Sequence, residues 1–223
     1  MRIEIQKNAQ ILAIFAIACT AVVGIVNMLT KDKIAQQEQY QLLNTLNSLI
    51  APERYNNNMY QDCTLISDPL FNAGKTQKAY LAKLDDQPIA AAITTTAPDG
   101  YNGNIHMLVA VNLNGSVSGV RVLKHQETPG LGDKIEERKS NWINNFTDKI
   151  VTSESDSRWA VAKDGGMFDQ FTGATITPRA VVKAVKDTVI YFKNNQQALF
   201  SLNNACIAKN NRGKTAEVKH EIK

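Results

Sequence analysis

The sequence predicts an α+β protein, in which an N-terminal transmembrane helix is followed by a single domain with a mainly antiparallel sheet packed against helices. Three observations support this prediction. An uncharged apolar run occupies residues 11–29. Alternating strand patterns separated by turn residues fill residues 79–123, and a long stretch with helical apolar spacing runs from Arg179 to Phe200.

Composition sets the size and excludes some function classes. The chain has 223 residues, enough for one domain of ordinary size with appendages, and 43% of them are hydrophobic. The net charge of +4 is spread along the chain without a basic patch interleaved with aromatic residues, so no nucleic-acid binding is expected. Three histidines and no Cys-x-x-Cys pair argue against a metal site.

The apolar run Ile11–Leu29 approaches the roughly 20 residues that a helix needs to cross a bilayer. A cleaved signal peptide is the competing interpretation, but its apolar core usually has only about 7 to 15 residues, and no small-x-small cleavage site follows here. Cys19 is a poor match to a lipoprotein cysteine. Basic residues flank both ends of the run in similar number, so charge alone does not orient the span.

The composition divides the chain into five parts. Apolar residues in a Gln/Asn-rich background after the span indicate a helix that continues from it. The predicted parts are a short N-terminal segment (1–10), the transmembrane helix (11–29), a helical stalk and connecting segment (30–75), the folded domain (76–205) and a flexible basic tail (206–223).

Turn residues delimit the strands of the domain. A short strand is predicted near Cys63–Ile66, and two hairpins follow. The hairpins are Ala79–Leu84 with Pro88–Thr96 around the turn Asp85–Gln87, and Ile105–Asn112 with Val117–Leu123 around Asn114-Gly115. Cys63 and Cys206 could form a disulfide in an oxidising compartment, although their spacing does not show that they meet.

Two loops contain residues typical of binding sites. Asp99–Gly103 joins the hairpins and contains Tyr101. Alternatively, this loop is a plain turn in which Tyr101 only covers an edge of the core. His125–Asp133 contains a proline and two glycines that let the backbone approach a flat or bulky partner, and a helix is predicted to follow it through Trp142. Its Glu127 is a base, a hydrogen-bond acceptor or a solvated loop carboxylate.

A third segment, Asp169–Pro178, is predicted to be a loop that enters a helix. Thr177 suits the N-cap and Pro178 the first helical position. The free backbone N–H groups at such an end attract anions, and phosphate above all. From the spacing alone, a well-capped helix without a ligand is an equal alternative.

Together these features resemble a known family, the membrane-anchored FMN-binding domain proteins, and within it the G subunits of Rnf (Rsx) electron transport complexes. The resemblance covers nearly the whole chain: the single span, the loops at 99–103 and 125–133, Trp142 and the segment Asp169–Thr175. That segment matches the family pattern Asp-x-x-Ser/Thr-Gly-Ala-Thr. The alternatives are the C subunit of a sodium-translocating NADH:quinone reductase and, from a different class, a cofactor-free anchored interaction module.

The resemblance implies a covalent FMN. An ApbE-type FMN transferase would attach it through its phosphate to Thr175, and no residue would be catalytic. The implied supporting contacts are Thr172, Gly173 and Ala174 at the phosphate, then Glu127, Thr128, Gly130, Leu131 and Gly132 along the isoalloxazine and ribityl chain, with Tyr101 and Lys163 as further contacts.

The resemblance also implies a role. The chain would be an electron carrier within a multi-subunit translocase, and would not be a stand-alone enzyme. The complex would couple electron transfer between NADH and ferredoxin-like carriers to ion translocation, with other Rnf/Rsx subunits as partners. The short N-terminus would be cytoplasmic, the span would lie in the bacterial inner membrane, and the domain would be periplasmic.

Overall fold

The computed structural model describes residues 2–71 and 74–206. The chain divides into two compact units, with the boundary after Asn44. The tail predicted to be flexible lies, from residue 207 onward, outside the described residues.

The first unit is helical. Helix α1, Arg2–Leu49, contains the predicted span and continues beyond it, as the Gln/Asn-rich pattern indicates. Of the described helices it is the one long and apolar enough to cross a membrane. The hydroxyl of Thr20, within the apolar run, donates to the Ala16 carbonyl at 2.7 Å, so this polar group is satisfied within the helix. The helix therefore fits a membrane anchor.

The second unit contains a five-stranded antiparallel sheet in the order β1-β2-β3-β4-β5. Asp85 and Asp86 both have positive φ, 51° and 61°, which a two-residue type I′ hairpin turn requires. The predicted strands are confirmed, and β3 extends four residues further than expected, to Gly100. The strands are β1 Cys63–Ile66, β2 Gln77–Leu84, β3 Gln87–Gly100, β4 Gly103–Asn112 and β5 Val117–Lys124.

Helix α2, Ile176–Ser201, packs on the sheet and makes its most extensive contact with β3. Its fully buried residues, which include Val181, Val185 and Val189, join Ile93 and Val109 of the sheet in one core. The spacing of four between these valines places them on one helix face, which explains why this helix was predictable from the sequence.

The helix predicted from the 125–133 loop through Trp142 is wrong. The chain forms two short 3-10 turns there, Gly132–Ile135 and Asn141–Phe146. Between them Ser140 is extended, at φ −162°, and its hydroxyl accepts a hydrogen bond from the Trp142 N–H. The first turn has already ended at Glu136, which is extended, and the Ser140 hydroxyl caps the start of the second turn, so no continuous helix forms.

A disulfide joins the two ends of the sheet domain. Cys63 in β1 and Cys206 are bonded, with their Cα atoms 5.4 Å apart. The Ala205 N–H also donates to the Cys63 carbonyl at 2.8 Å, so the last described residues lie along the outer edge of β1. The pairing that the spacing left open is therefore present.

Candidate functional site

An open cleft of about 240 Å³ lies where three chain segments meet. They are the tip of the β3–β4 hairpin, the 125–133 loop and the segment that enters α2. Most of the residues predicted to contact a cofactor line this cleft. The lining consists of Tyr101, Glu127, Thr128, Leu131, Gly132, Gly173, Ala174, Thr175, Ile176 and Thr177.

The segment entering α2 makes a tight turn just before the helix. The Ala174 N–H donates to the Phe171 carbonyl at 3.0 Å, and Gly173 lies at φ +80°. A bonded four-residue turn with positive φ at its third position is a type II turn, for which glycine is the favoured residue. The turn brings Ala174 and the half-buried Thr175 to the cleft wall at the first turn of α2.

Trp142 stabilises this turn. Its indole N–H donates to the Asp169 carbonyl at 2.7 Å. Its ring meets the Phe171 ring edge-on, with centroids 5.1 Å apart. One buried side chain therefore fixes both the backbone and a side chain of the segment that carries Thr175.

The three threonines of this segment have different environments. Thr172 is exposed and lies outside the cleft lining. Thr177 is only 1% exposed, and its hydroxyl donates to the Glu127 carboxylate. Thr175 lies on the cleft wall, and its side chain makes no capping hydrogen bond. The geometry thus leaves Thr175 with an accessible hydroxyl at the helix end.

The prediction that Thr177 is the N-cap is wrong. Helix α2 begins at Ile176 with Thr175 at the N-cap position, so Thr177 and Pro178 are its second and third residues. Pro178 is still tolerated, because the first four N–H groups of a helix have no acceptor within it. The Thr177 hydroxyl is used for a tertiary contact with Glu127.

Glu127 is neither solvated nor exposed. Its side chain is 4% exposed. It accepts hydrogen bonds from the backbone N–H groups of Tyr101, at 3.3 Å, and Asn102, at 3.0 Å, in addition to the Thr177 hydroxyl. Of the three interpretations that the sequence left open, the structure supports the hydrogen-bond acceptor.

His125 supports the loop from behind Glu127. Its Nδ1 accepts the Glu127 N–H at 3.0 Å, and its Nε2 lies 2.8 Å from Glu136. This network assigns the Nε2–H tautomer, which donates to the Glu136 carboxylate. The pKa of Glu136 is lowered, mainly by the hydrogen bond from Arg138; burial opposes this change, and the hydrogen bond from His125 adds a smaller lowering.

Three predicted contacts lie outside the cleft lining: Thr172, Gly130 and Lys163. Gly130 adopts φ +79°, so it turns the loop. The Lys163 N–H donates to the Gln170 side chain at 3.1 Å, which stabilises the loop before α2. Conversely, Ile176 lines the cleft although it was not predicted to; its position between two threonines at a loop-to-helix boundary was the available signal.

Comparison with known proteins identifies the family. A family model described as "FMN-binding domain" matches residues 100–190, and one described as "RnfG N-terminal region" matches residues 1–49. A Shewanella baltica protein, named as the G subunit of an ion-translocating oxidoreductase complex, is 53% identical over 91% of this chain and 96% of its own length. The chain belongs to this RnfG family. A Vibrio cholerae protein of the same name is also 53% identical, over 92% of this chain and 99% of its own length.

The cleft fits the FMN that the domain family binds. Gly173 and Ala174 have the smallest side chains, which leaves room for a phosphate beside the helix end. The backbone N–H groups of the first turn of α2 have no helical acceptor and so can bind an anion. Tyr101, Leu131 and Ile176 are 67%, 41% and 48% exposed at the cleft, and these apolar surfaces suit a flat aromatic ring. In this RnfG protein, the phosphate would therefore lie beside the N-terminus of α2, and the flavin ring would lie against the apolar side chains.

Proposed function

We propose that this chain is the single-span, electron-carrying G subunit of an Rnf-type complex, and that its FMN is attached through the phosphate to the Thr175 hydroxyl. The observation that carries the proposal is the placement of that hydroxyl. It lies on the cleft wall at the N-terminus of α2, after a glycine turn, without a capping bond. Thr172 and Thr177, the other threonines of the segment, are respectively outside the cleft lining and bonded to Glu127.

The attachment is a phosphoryl transfer from an activated flavin nucleotide. The Thr175 oxygen forms the new bond to phosphorus and loses its proton, while the bond from phosphorus to the leaving group breaks. A phosphodiester keeps one negative charge, which the positive end of α2 stabilises. Because the cleft is open and Thr175 is only partly buried in its wall, a transferase of the ApbE type can reach the hydroxyl.

The bound flavin supplies the redox chemistry, and the chain supplies position and electrostatics. We assign the neighbouring redox carriers to other subunits of the complex, which would couple NADH- and ferredoxin-type electron transfer to ion translocation. Helix α1 would anchor the chain in the inner membrane. The disulfide between Cys63 and Cys206 supports a periplasmic domain, because such bonds persist in oxidising compartments.

The decisive experiment compares intact masses after coexpression with an ApbE-type transferase. The wild-type chain should gain the mass of FMN minus water, and a denaturing gel should retain its flavin fluorescence. Thr175→Ala should lose both signals, because no hydroxyl remains to form the bond. Thr172→Ala is the matched control and should keep the label, since Thr172 is exposed outside the cleft lining. An unlabelled wild type would favour the cofactor-free module.

A further inference from the structure

The carboxylate of Glu127 joins three parts of the chain that are distant in sequence. It lies in the 125–133 loop, accepts the N–H groups of Tyr101 and Asn102 at the hairpin tip, and accepts the hydroxyl of Thr177 in α2. These donors are 26, 25 and 50 residues away from it along the chain. The cleft lies between the same three segments, so this carboxylate sits at its structural junction.

These contacts are hydrogen bonds to the carboxylate oxygens. Two of the three groups that bond its oxygens are backbone N–H groups, which can only donate, and the third is the Thr177 hydroxyl. Within the part of the chain that the structure describes, no Lys, Arg or His forms a salt bridge with Glu127. Its charge is therefore balanced by oriented N–H and O–H dipoles, which hold it only while they stay in place.

Two glycines make room for this carboxylate. A Cβ added to Gly100 would lie 2.9 Å from Glu127 Oε1 and 2.3 Å from the Gly103 carbonyl oxygen. A Cβ added to Gly132 would lie 3.0 Å from Glu127 Oε2 and 2.8 Å from Thr177 Oγ1. Gly132 thus permits a close approach between its own backbone and the side chains of Glu127 and Thr177. The segments around the carboxylate converge on it more tightly than alanine would allow.

We propose that Glu127 is the positioning residue of the flavin site. Its carboxylate holds the hairpin tip and the first turn of α2 at a fixed separation. That separation sets how Thr175 and Tyr101 lie across the cleft, and hence where an attached flavin sits. The inference rests on the proposed attachment at Thr175, but the contact network itself is a property of the chain without flavin.

The variant Glu127→Gln tests the charge with almost no change in volume. An amide has one acceptor oxygen in place of two, and its NH2 group must face at least one of the three donors. Its best orientation keeps Tyr101 and Thr177 bonded and leaves the Asn102 N–H opposite the NH2 group. The hairpin tip should therefore loosen first, at Asn102.

The variants of Thr177 test the same contact from α2. Thr177→Val keeps the side-chain shape and removes the hydroxyl donor, whereas Thr177→Ser keeps the donor. The serine variant should therefore keep the wild-type amide exchange and labelling rate that the valine variant loses. Glu154→Gln is the control for the charge change, because Glu154 is exposed in a loop outside the cleft lining.

The first readout needs no flavin. Hydrogen–deuterium exchange of the unlabelled full chain in detergent should show the amide of Asn102 exchanging about tenfold or more faster in Glu127→Gln, as expected for loss of a charged hydrogen bond, with a smaller increase at Tyr101. Thr177→Val should act in the same direction, and Glu154→Gln should match the wild type. Unchanged exchange in both cleft variants would overturn the proposed junction.

The second readout is the flavin itself. Both Glu127→Gln and Thr177→Val should be labelled by the transferase about tenfold more slowly, with Thr177→Ser within about twofold of wild type. Once labelled, Glu127→Gln should show an altered visible circular dichroism spectrum and a more positive midpoint potential, because a negative charge beside the cleft is gone. Wild-type labelling, spectrum and potential in that variant would overturn the positioning role.

The two proposals fail in different ways. If the wild type is not labelled at Thr175, the proposed attachment is wrong, and the exchange readout alone still shows whether the carboxylate holds the cleft together. If the wild type is labelled and the exchange of the two variants rises without any change in labelling rate, spectrum or potential, Glu127 is structural only and the positioning role is overturned.

Discussion

At the scale of single residues, two threonines only two positions apart have different roles. Thr175 offers a hydroxyl to the cleft, while the hydroxyl of Thr177, two residues later, is committed to Glu127. Gly173 decides which residue reaches the cleft, since its positive φ of 80° closes the turn that brings Thr175 to the helix end. Attachment should therefore depend on backbone conformation as much as on the hydroxyl.

Replacing Gly173 with alanine tests this dependence. A Cβ there would meet only Leu131 Cδ2 at 3.6 Å, so the cost is conformational, about 1 kcal/mol for positive φ. We expect Tm to fall by about 2–4 °C and labelling to slow. Gly165→Ala is the matched control, because Gly165 also has positive φ, 82°, and open space. It should lower Tm similarly and leave labelling unchanged; equal labelling of the two variants would contradict the role of the turn.

The sequence predicted residue types at the site better than residue roles. The threonines, one glycine and an alanine before a helix indicated only an anion site or a capped helix, and Thr175 with its neighbours was named from the family resemblance. Thr177 was misassigned because capping is judged from local spacing, whereas its partner Glu127 lies 50 residues away. Burial of Glu127 depends on the same long-range contact and could not be derived from the loop alone.

At the scale of elements, the segment that carries Thr175 depends on a buried tryptophan from another segment. Trp142→Phe removes the indole N–H that binds the Asp169 carbonyl but keeps an aromatic ring against Phe171. Loss of one buried hydrogen bond should cost about 1 kcal/mol and slow labelling several-fold, as measured by intact mass over time. Trp159→Phe is the control, since its indole donates to Ile150, outside the cleft lining. Equal labelling rates would show that Trp142 only fills the core.

The elements themselves were largely predictable. Strands followed from alternation and from turns such as Asp85-Asp86, and α2 from its valine spacing, because both signals are local. The helix expected through Trp142 failed for reasons that are also local but small: the backbone becomes extended at Glu136, and the Ser140 hydroxyl accepts the Trp142 N–H and so starts a separate 3-10 turn. Such competing bonds are common to many serines, so the sequence alone did not reveal which one acts.

At the scale of the whole molecule, each edge strand of the sheet is bonded at one residue to another part of the described chain. The Ala205 N–H binds the outer edge of β1 at Cys63, and Val117 at the start of β5 exchanges hydrogen bonds with Asp148 and Lys149. At these residues the edges are not open to strand addition by another chain.

The disulfide closes this domain and gives the last prediction. It joins residues 143 positions apart, and loop-closure entropy for such a long loop gives a stabilisation of about 5 kcal/mol as an upper estimate. The double variant Cys63→Ser/Cys206→Ser should therefore unfold at a Tm roughly 10 °C lower by circular dichroism. Cys19→Ser is the control and should not change Tm, because Cys19 is a free cysteine in the apolar helix.

The disulfide between Cys63 and Cys206 also indicates the compartment in which the domain folds. In the full chain isolated from membranes without reductant, Cys63 and Cys206 should resist alkylation until they are reduced. A version lacking the residues before Lys31 and expressed in the cytoplasm should be soluble, keep both thiols free, and unfold near the Tm of the double serine variant, because its compartment is reducing. Free thiols in the membrane-isolated full chain would contradict a periplasmic domain, and retention of the truncated version in the membrane fraction would show an attachment other than the apolar run Ile11–Leu29.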